Sequence, residues 1–533
     1  MRCTSTGILF VCISIVLADN AQTVLHVNES TILVDPLDVG MNTGSLPEVL
    51  NATESFSPCC VILDAALPGK IHFPESSPYA AQQASYYSAE QTELKPSCRV
   101  TPSSSNDVSR IVQIATENQC QFAVKSGGHM NWGGSSNVGP VGFTVDLQNL
   151  NEVSVLNDKG IVSFGLRTLA LADSSWADYL VWDSDQSCAA LAVGNALAAV
   201  RNLPQKLALE IFCLPGKWSE HTEDVCCNYV VVLADGAISD VNETSLPELY
   251  WALKYGSTNF GIVTRFDMTT YHLGVMWGGS LYFNISRALP LLESLVDLVP
   301  KLAEDPRGVS AVSLAWSPAM QDYAIWAPVI YRDPVEFPPL FSSLREVEPL
   351  MSTVRLTNLV DITDEYQGAA PSGVRAQWFS LTLKPDAQTM LDIFTKGAEI
   401  FDPCRQRAGL TWAATFQPIN AGLVAVGSRH SGNPTGLSAE DGDLILYLGL
   451  VFWNDAEDDG VLKSKVQEHL TWACQTASQR GLLNRFIYLN YALGTQDVMD
   501  SVGNENLERM KRIKMRYDPQ NLFGKYWVGG FKL

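Results

Sequence analysis

The sequence is short of positive charge, of charge in general, and of any long apolar run after Leu17. Its 36 Lys and Arg stand against 57 Asp and Glu, for a formal net charge of −21. That removes the basic footprint that nucleic acid or an anionic membrane would demand of a partner. Charged residues make up 17% and hydrophobic residues 46%, which excludes an acidic disordered chain and implies a globular one. No stretch beyond Leu17 approaches the roughly 20 apolar residues of a spanning helix. Zinc-type cysteine spacing is also missing: Cys59-Cys60 and Cys226-Cys227 are adjacent pairs rather than CxxC, so no metal is expected. At 533 residues the chain exceeds one core, and about two to four domains are expected.

What is present begins with an address. Arg2 and the apolar run Ile8–Leu17 precede Ala18, the pattern of a secretory signal over residues 1–18. An uncleaved anchor is the alternative. Asn28, Asn51, Asn242 and Asn284 each open an Asn-x-Ser/Thr sequon, a glycosylation signal in a secreted chain. Ten cysteines remain after residue 18. An oxidising compartment lets some of them pair, although connectivity cannot be read from spacing.

The chain is organised around Phe122–Gly134, FAVKSGGHMNWGG. A short apolar strand runs into Lys125-Ser126-Gly127-Gly128-His129, and Gly133-Gly134 follow. Paired glycines allow positive φ and close backbone approach, and successive amides in such a turn form a nest suited to a pyrophosphate. A tight turn with a surface histidine is the competing reading. Residues 19–93 read as an extension wrapping over the first domain. Residues 94–274 read as a strand, a helix up to about Asn118, the glycine stretch, and further strands, an α+β nucleotide-binding arrangement. Residues 275–480 alternate strand-like runs with helices near 289–302, 387–401 and 461–477, which suggests a second α+β domain with an antiparallel sheet. In 481–533, Phe486–Tyr491 reads as a strand with its tyrosines on alternating faces, and Asn504–Tyr517 as an amphipathic helix stopped by Asp518-Pro519.

Four separated stretches, in order, carry a resemblance: Phe122–Gly134, Asn228–Gly236, Gly256–Thr264 (GSTNFGIVT), and the ending from Tyr488-Leu-Asn-Tyr491 through Tyr517-Asp-Pro519 to Gly529-Gly-Phe531. The chain resembles secreted fungal flavin-dependent oxidoreductases of the berberine-bridge-enzyme-like group, in the vanillyl-alcohol-oxidase superfamily with its PCMH-type FAD-binding domain. The resemblance implies a two-subdomain FAD-binding domain, a substrate domain above it, and a C-terminal segment that returns to the FAD domain. It implies FAD linked through His129 to the flavin 8α-methyl carbon. Val124, Lys125, Ser126, Gly127, Gly128 and Gly134 would hold the pyrophosphate. Gly261, Ile262 and Val263 would lie along the cofactor, with Asn490 near the isoalloxazine. Tyr488 or Tyr491 would act as catalytic base. The reaction implied is hydride transfer to flavin from a C–H bond beside oxygen or nitrogen of a small organic metabolite, with O2 as the reoxidant.

One span departs from the family pattern. Between Leu166 and Cys227 there is no glycine triplet, and the position where some members carry a second flavin-linked cysteine holds Thr222 or Glu223. Attachment through His129 only is therefore expected. Oxidation of a carbohydrate is a variant of the enzymatic reading. An impaired, non-enzymatic flavoprotein-like chain is the alternative that this span favours.

Overall fold

The computed structural model describes residues 57–533, apart from 157–160, 166–225, 270–273, 319–320, 368–372 and 429–431. The expected signal, the sequons at Asn28 and Asn51, and nearly all of the divergent span lie outside the described residues.

The first sheet has four strands in the order Ile71–His72, Cys98–Val100, Phe143–Asp146, Phe122–Lys125. The last three are mutually parallel and Ile71–His72 closes one edge antiparallel. The crossover into Phe122–Lys125 is the helix Ser105–Glu117. It is capped by Ser104, whose side chain accepts from the Asp107 N–H, and it buries Val108, Ile111, Val112 and Ala115, the i, i+3, i+4, i+7 stripe of an amphipathic helix. Its other flank serves a second, five-stranded antiparallel sheet in the order Val153–Leu156, Ile161–Gly165, Ile262–Thr269, Cys226–Val232, Ile238–Val241. The Ser105 and Thr264 hydroxyls meet at 2.8 Å and Ser109 Oγ donates to the Gly236 carbonyl, so one helix is pinned to both sheets.

Residues 57–93, read from sequence as an extension, build directly into this unit. Two disulfides, Cys59–Cys120 and Cys60–Cys98, fasten the helix Pro58–Ala66 to both ends of the region it covers. The adjacent cysteines splay to different partners, an arrangement their sequence spacing left open.

The third sheet is ten-stranded and antiparallel, and contains Met276–Asn284, Asp322–Tyr331, Val312–Ser317, Thr411–Ile419, Leu444–Trp453 and Arg375–Leu383 in that order. Period-2 alternation assigns its two faces. In Leu444–Trp453, Leu444, Leu446 and Leu448 join the core shared with the first two sheets, while Ile445, Tyr447 and Val451 face the other way. The second face is covered by the helices Ala288–Glu304, Ala387–Phe401 and Asp459–Gln479. Burial on both faces explains why LILYLGLVFW is continuously apolar. Ala288–Glu304 shows the packing logic: Leu291, Leu292, Leu295, Leu298 and Leu302 are buried, each contributing about 1.5–3 kcal/mol of transfer free energy.

The C-terminal segment returns to the first sheet. The Phe122 N–H donates to the Tyr526 carbonyl (2.8 Å) and the Val528 N–H to the Phe122 carbonyl (2.7 Å), so Trp527 bridges alongside the strand that feeds the glycine loop. This arrangement is the α+β, PCMH-type architecture implied by the sequence, with a further antiparallel sheet.

Candidate functional site

Phe122–Lys125 delivers the chain into the glycine loop. Beneath the loop, Lys125 Nζ is 2.8 Å from Asp146 Oδ2 at the end of the neighbouring parallel strand, and both side chains are almost wholly buried. Nζ also donates to Ser85 Oγ and lies 5.0 Å from the Tyr86 ring centre. The Lys125 side chain thus supports the loop from below. Gly128 turns the chain with φ +68°. A Cβ there would sit 2.8 Å from Lys125 Cε and 2.9 Å from the Tyr86 ring, so glycine is required on conformational and steric grounds. Ser126 is buried, Gly127 half-buried, and Gly134 has φ +84° with open space beside it.

His129 is 3% exposed. Its imidazole stacks on Tyr87, ring centres 4.1 Å apart and planes 14° apart. Trp378, from the strand Arg375–Leu383 of the ten-stranded sheet, lies 5.8 Å away at 52°. The Trp378 backbone N–H donates to Oδ1 of Asn131, two residues past His129. The surface-turn reading of this histidine does not survive, because both domains enclose it.

Trp378 also meets Tyr491 edge-on at 6.4 Å, and Tyr491 meets Tyr488 in a T at 4.9 Å. Phe486–Tyr491 is not the expected strand. Its backbone turns, with the Tyr491 N–H donating to the Tyr488 carbonyl. In a strand, residues three apart point to opposite faces; the turn brings both tyrosines to one place. Tyr488 takes a hydrogen bond on its hydroxyl from Asn490 Nδ2 (2.9 Å). The Tyr491 hydroxyl is held by the Gln417 amide, with Nε2 at 3.1 Å. Gln417 is fully buried on Thr411–Ile419. His129, Tyr488, Asn490 and Tyr491 therefore converge around Trp378.

Gly261, Ile262 and Val263 lie elsewhere, at the start of a strand in the five-stranded sheet, beside an irregularity in its pairing with Val230 and Val231. They connect to the glycine loop through the C-terminal tail. Gly529 packs against the Ser135 carbonyl, where a Cβ would stand 2.1 Å away, and its own carbonyl accepts from Thr258 Oγ1. Asn259 then takes the tail's end, donating to the Phe531 carbonyl and accepting from the Leu533 N–H. The tail is the clasp between the glycine loop and the turn before Gly261.

The residues present suit a dinucleotide whose ring end lies at His129 and Asn490. Asn490 is 2% exposed and its Oδ1 has no partner among the described residues. Leaving such an acceptor unpaired costs about 1–3 kcal/mol, so a donor on a bound group would suit it. Val124, Ser126, Gly127, Gly128 and Gly134 would hold the phosphates by backbone approach.

Three residues at this cluster were not singled out from sequence as site residues: Tyr87, Trp378 and Gln417. Gln417 carried a signal, a lone amide inside the apolar run TWAATFQPI. Tyr87 and Trp378 carried none, since aromatic residues read as core by default. Of the described sequons, Asn284 is exposed, whereas Asn242 is half-buried with Nδ2 donating to Asn228.

Comparison with known proteins agrees with the geometry. Residues 96–199 match the FAD-binding domain family, so the match runs into the divergent span. The FAD-dependent monooxygenase FUP4 of Fusarium proliferatum is 31% identical over 466 residues, covering 84% of this chain and 87% of that protein. The FAD-dependent monooxygenase tpcD of Cochliobolus heterostrophus is 29% identical, covering 87% and 89%. Among solved structures, 6-hydroxy-D-nicotine oxidase of Arthrobacter nicotinovorans superposes with a TM-score of 0.65 at 18% identity, covering 86% of this chain and 97% of that one. A xylooligosaccharide oxidase of Myceliophthora thermophila gives 0.63 at 16%, covering 89% and 98%. These two share the fold. The identity and coverage of the FUP4 match show that this chain belongs to the family of FAD-dependent oxidoreductases that carry this FAD-binding domain; its likeness to berberine-bridge-enzyme-like proteins of Physcomitrella patens and Arabidopsis thaliana, at 15% and 14% identity, is one of fold.

Proposed function

We propose that the chain oxidises a small organic metabolite in the aromatic site between its two domains, with FAD held covalently through His129 alone and O2 as the final acceptor. The observation that carries this reading is the convergence of His129, Asn490, Tyr488 and Tyr491 around Trp378. Bound FAD would supply the two-electron acceptor. The chain's own part is to place the substrate and move its proton. Tyr488 is the better base of the two tyrosines: Asn490 Nδ2 donates to its oxygen at 2.9 Å, which favours the deprotonated form, whereas the Tyr491 hydroxyl, besides accepting from Gln417 Nε2, faces Gln417 Oε1 as an acceptor at 3.4 Å, which favours the protonated form. Tyr491, tied to Gln417, orients the substrate. Trp378 offers a flat apolar wall that keeps water from the reacting bond.

The relatives' description as FAD-dependent monooxygenases supports O2 as co-substrate and a fungal metabolite as substrate class. The nested disulfides Cys59–Cys120 and Cys60–Cys98 support passage through an oxidising compartment and export, with Asn284 the better-presented glycan acceptor.

The deciding experiment is acid precipitation of the purified protein. Yellow colour that stays in the pellet, and that His129→Ala releases into the supernatant, is the expected result. A protein that carries no flavin, or a His129→Ala variant whose flavin still pellets, overturns the reading. Turnover under 18O2 then separates oxygen insertion from release as hydrogen peroxide.

A further inference from the structure

We infer that Tyr87 is the positioning residue for covalent flavin attachment, holding the His129 imidazole in the plane from which its ring nitrogen reaches the flavin methyl carbon. The inference rests on the reading of His129 as the attachment point and adds to it the residue that makes attachment efficient.

Ring nitrogens bond in the plane of the imidazole, so whatever fixes that plane fixes the direction of attack. The Tyr87 ring covers one face of His129 at 4.1 Å and 14°. Its own position is set three ways. The Tyr87 N–H donates to the Gly128 carbonyl, one residue before His129, at 3.0 Å. The Tyr87 carbonyl accepts from the Gly373 N–H at 2.8 Å, at the threshold of the strand that carries Trp378. The Trp378 ring then meets Tyr87 edge-on at 5.7 Å. A few residues on, Ser88 bridges Val374, the Ala89 N–H donates to the Val374 carbonyl, and Glu93 pairs with the buried Arg375 guanidinium, itself paired with Asp459. The strap Tyr86–Glu93 therefore belongs to both domains, and its one flat side chain over the histidine is Tyr87. A neighbour of merely structural use has no need of coplanar stacking; a Leu or Met would fill the same volume.

The step that Tyr87 serves balances as follows. The imidazole nitrogen loses its proton and the methyl carbon loses one hydrogen, and the new N–C bond joins them. The two electrons and two protons set free pass through the flavin to O2, which leaves as hydrogen peroxide. Orientation is the contribution asked of the protein here, and a misplacement of about 1 Å at such a step costs on the order of 100-fold in rate.

The test follows attachment rather than turnover. Apoprotein is mixed with FAD, and acid-stable flavin is read against total bound flavin over time, for the wild type, Tyr87→Phe and Tyr87→Leu. Tyr87→Phe keeps the flat ring and attaches at the wild-type rate. Tyr87→Leu binds FAD but attaches it at least about tenfold more slowly. If Tyr87→Leu fails to load, Tyr87→Met takes its place under the same criterion. Attachment by the Leu or Met variant at the wild-type rate overturns the proposal. So does a Phe variant as slow as Leu, which would assign the effect to the hydroxyl. A His129→Ala protein that still retains acid-stable flavin removes the underlying reading instead, and the two failures are told apart by which variant shows them.

Discussion

Replacing Asp146 with leucine strips the buried Lys125 ammonium of its counter-charge directly beneath the glycine loop. At 2.8 Å and an effective dielectric of about 20, the pair attracts by roughly 6 kcal/mol, close to what desolvating two ions costs. The intact pair is therefore near neutral, while a broken one leaves a lone buried charge. Asp146→Leu is expected to destabilise the protein by about 3–5 kcal/mol, and Lys125→Met by a similar amount. The double variant should recover nearly all of that. A residue of about 1 kcal/mol remains, because Asp146 Oδ1 also accepts from the Gln148 N–H and caps the short helical turn Leu147–Asn149, a loss that pairing does not restore. Denaturant unfolding followed by tryptophan fluorescence, on all four proteins at one pH, measures the cycle. A double variant as unstable as the two singles summed would refute mutual compensation. Flavin content supplies a second readout. Because Lys125 Nζ is engaged below the loop, the double variant should still load FAD; a stable double variant that binds none would return Lys125 to the role of phosphate contact.

Two further outcomes follow from the site and the clasp. Tyr488→Phe should lower kcat by about 100-fold or more and flatten the rise of activity with pH that a base imposes, whereas Tyr491→Phe should mainly raise KM; equal effects on kcat from both would remove the assignment of Tyr488 as base. At the clasp, burial and then the neighbouring Lys514 push Lys532 from its ordinary 10.5 down to about 7, against a partial pull upward from Asp518. Between about pH 7 and 10.5 the unfolded chain binds a proton that the folded chain does not, so stability is lowest below pH 7 and climbs through that window by on the order of 5 kcal/mol. Lys532→Met should flatten the rise and melt higher than the wild type at pH 6; a wild-type melting temperature that falls from pH 7 to 9 would refute it.

Local pattern was legible where burial is one-sided or uniform. The helices Ala387–Phe401 and Asn504–Tyr517 and the strand Leu444–Trp453 lie where periodicity and caps place them. The glycine turn at Gly128 was legible because only glycine tolerates that backbone beside Lys125 and Tyr86. Phe486–Tyr491 misled because its β-type composition answers to a buried aromatic site rather than to a sheet. Residues 57–93, read as a wrap over the first domain, gave no further detail from sequence because disulfides and a bridging strap stand in for the periodic apolar faces that mark ordinary elements.

The sequence by itself determined the α+β architecture and FAD as the cofactor, and it named His129, Tyr488, Asn490 and Tyr491 as candidates, since each depends on a short stretch whose chemistry is local. Only the tertiary structure decided that Lys125 answers to Asp146, that Cys59 and Cys60 part to Cys120 and Cys98, and that Tyr87 and Trp378 pack against His129 while Gln417 holds Tyr491. Those are pairings across distant positions, and their selection is made by packing energy in the folded core, which no window of neighbouring residues contains.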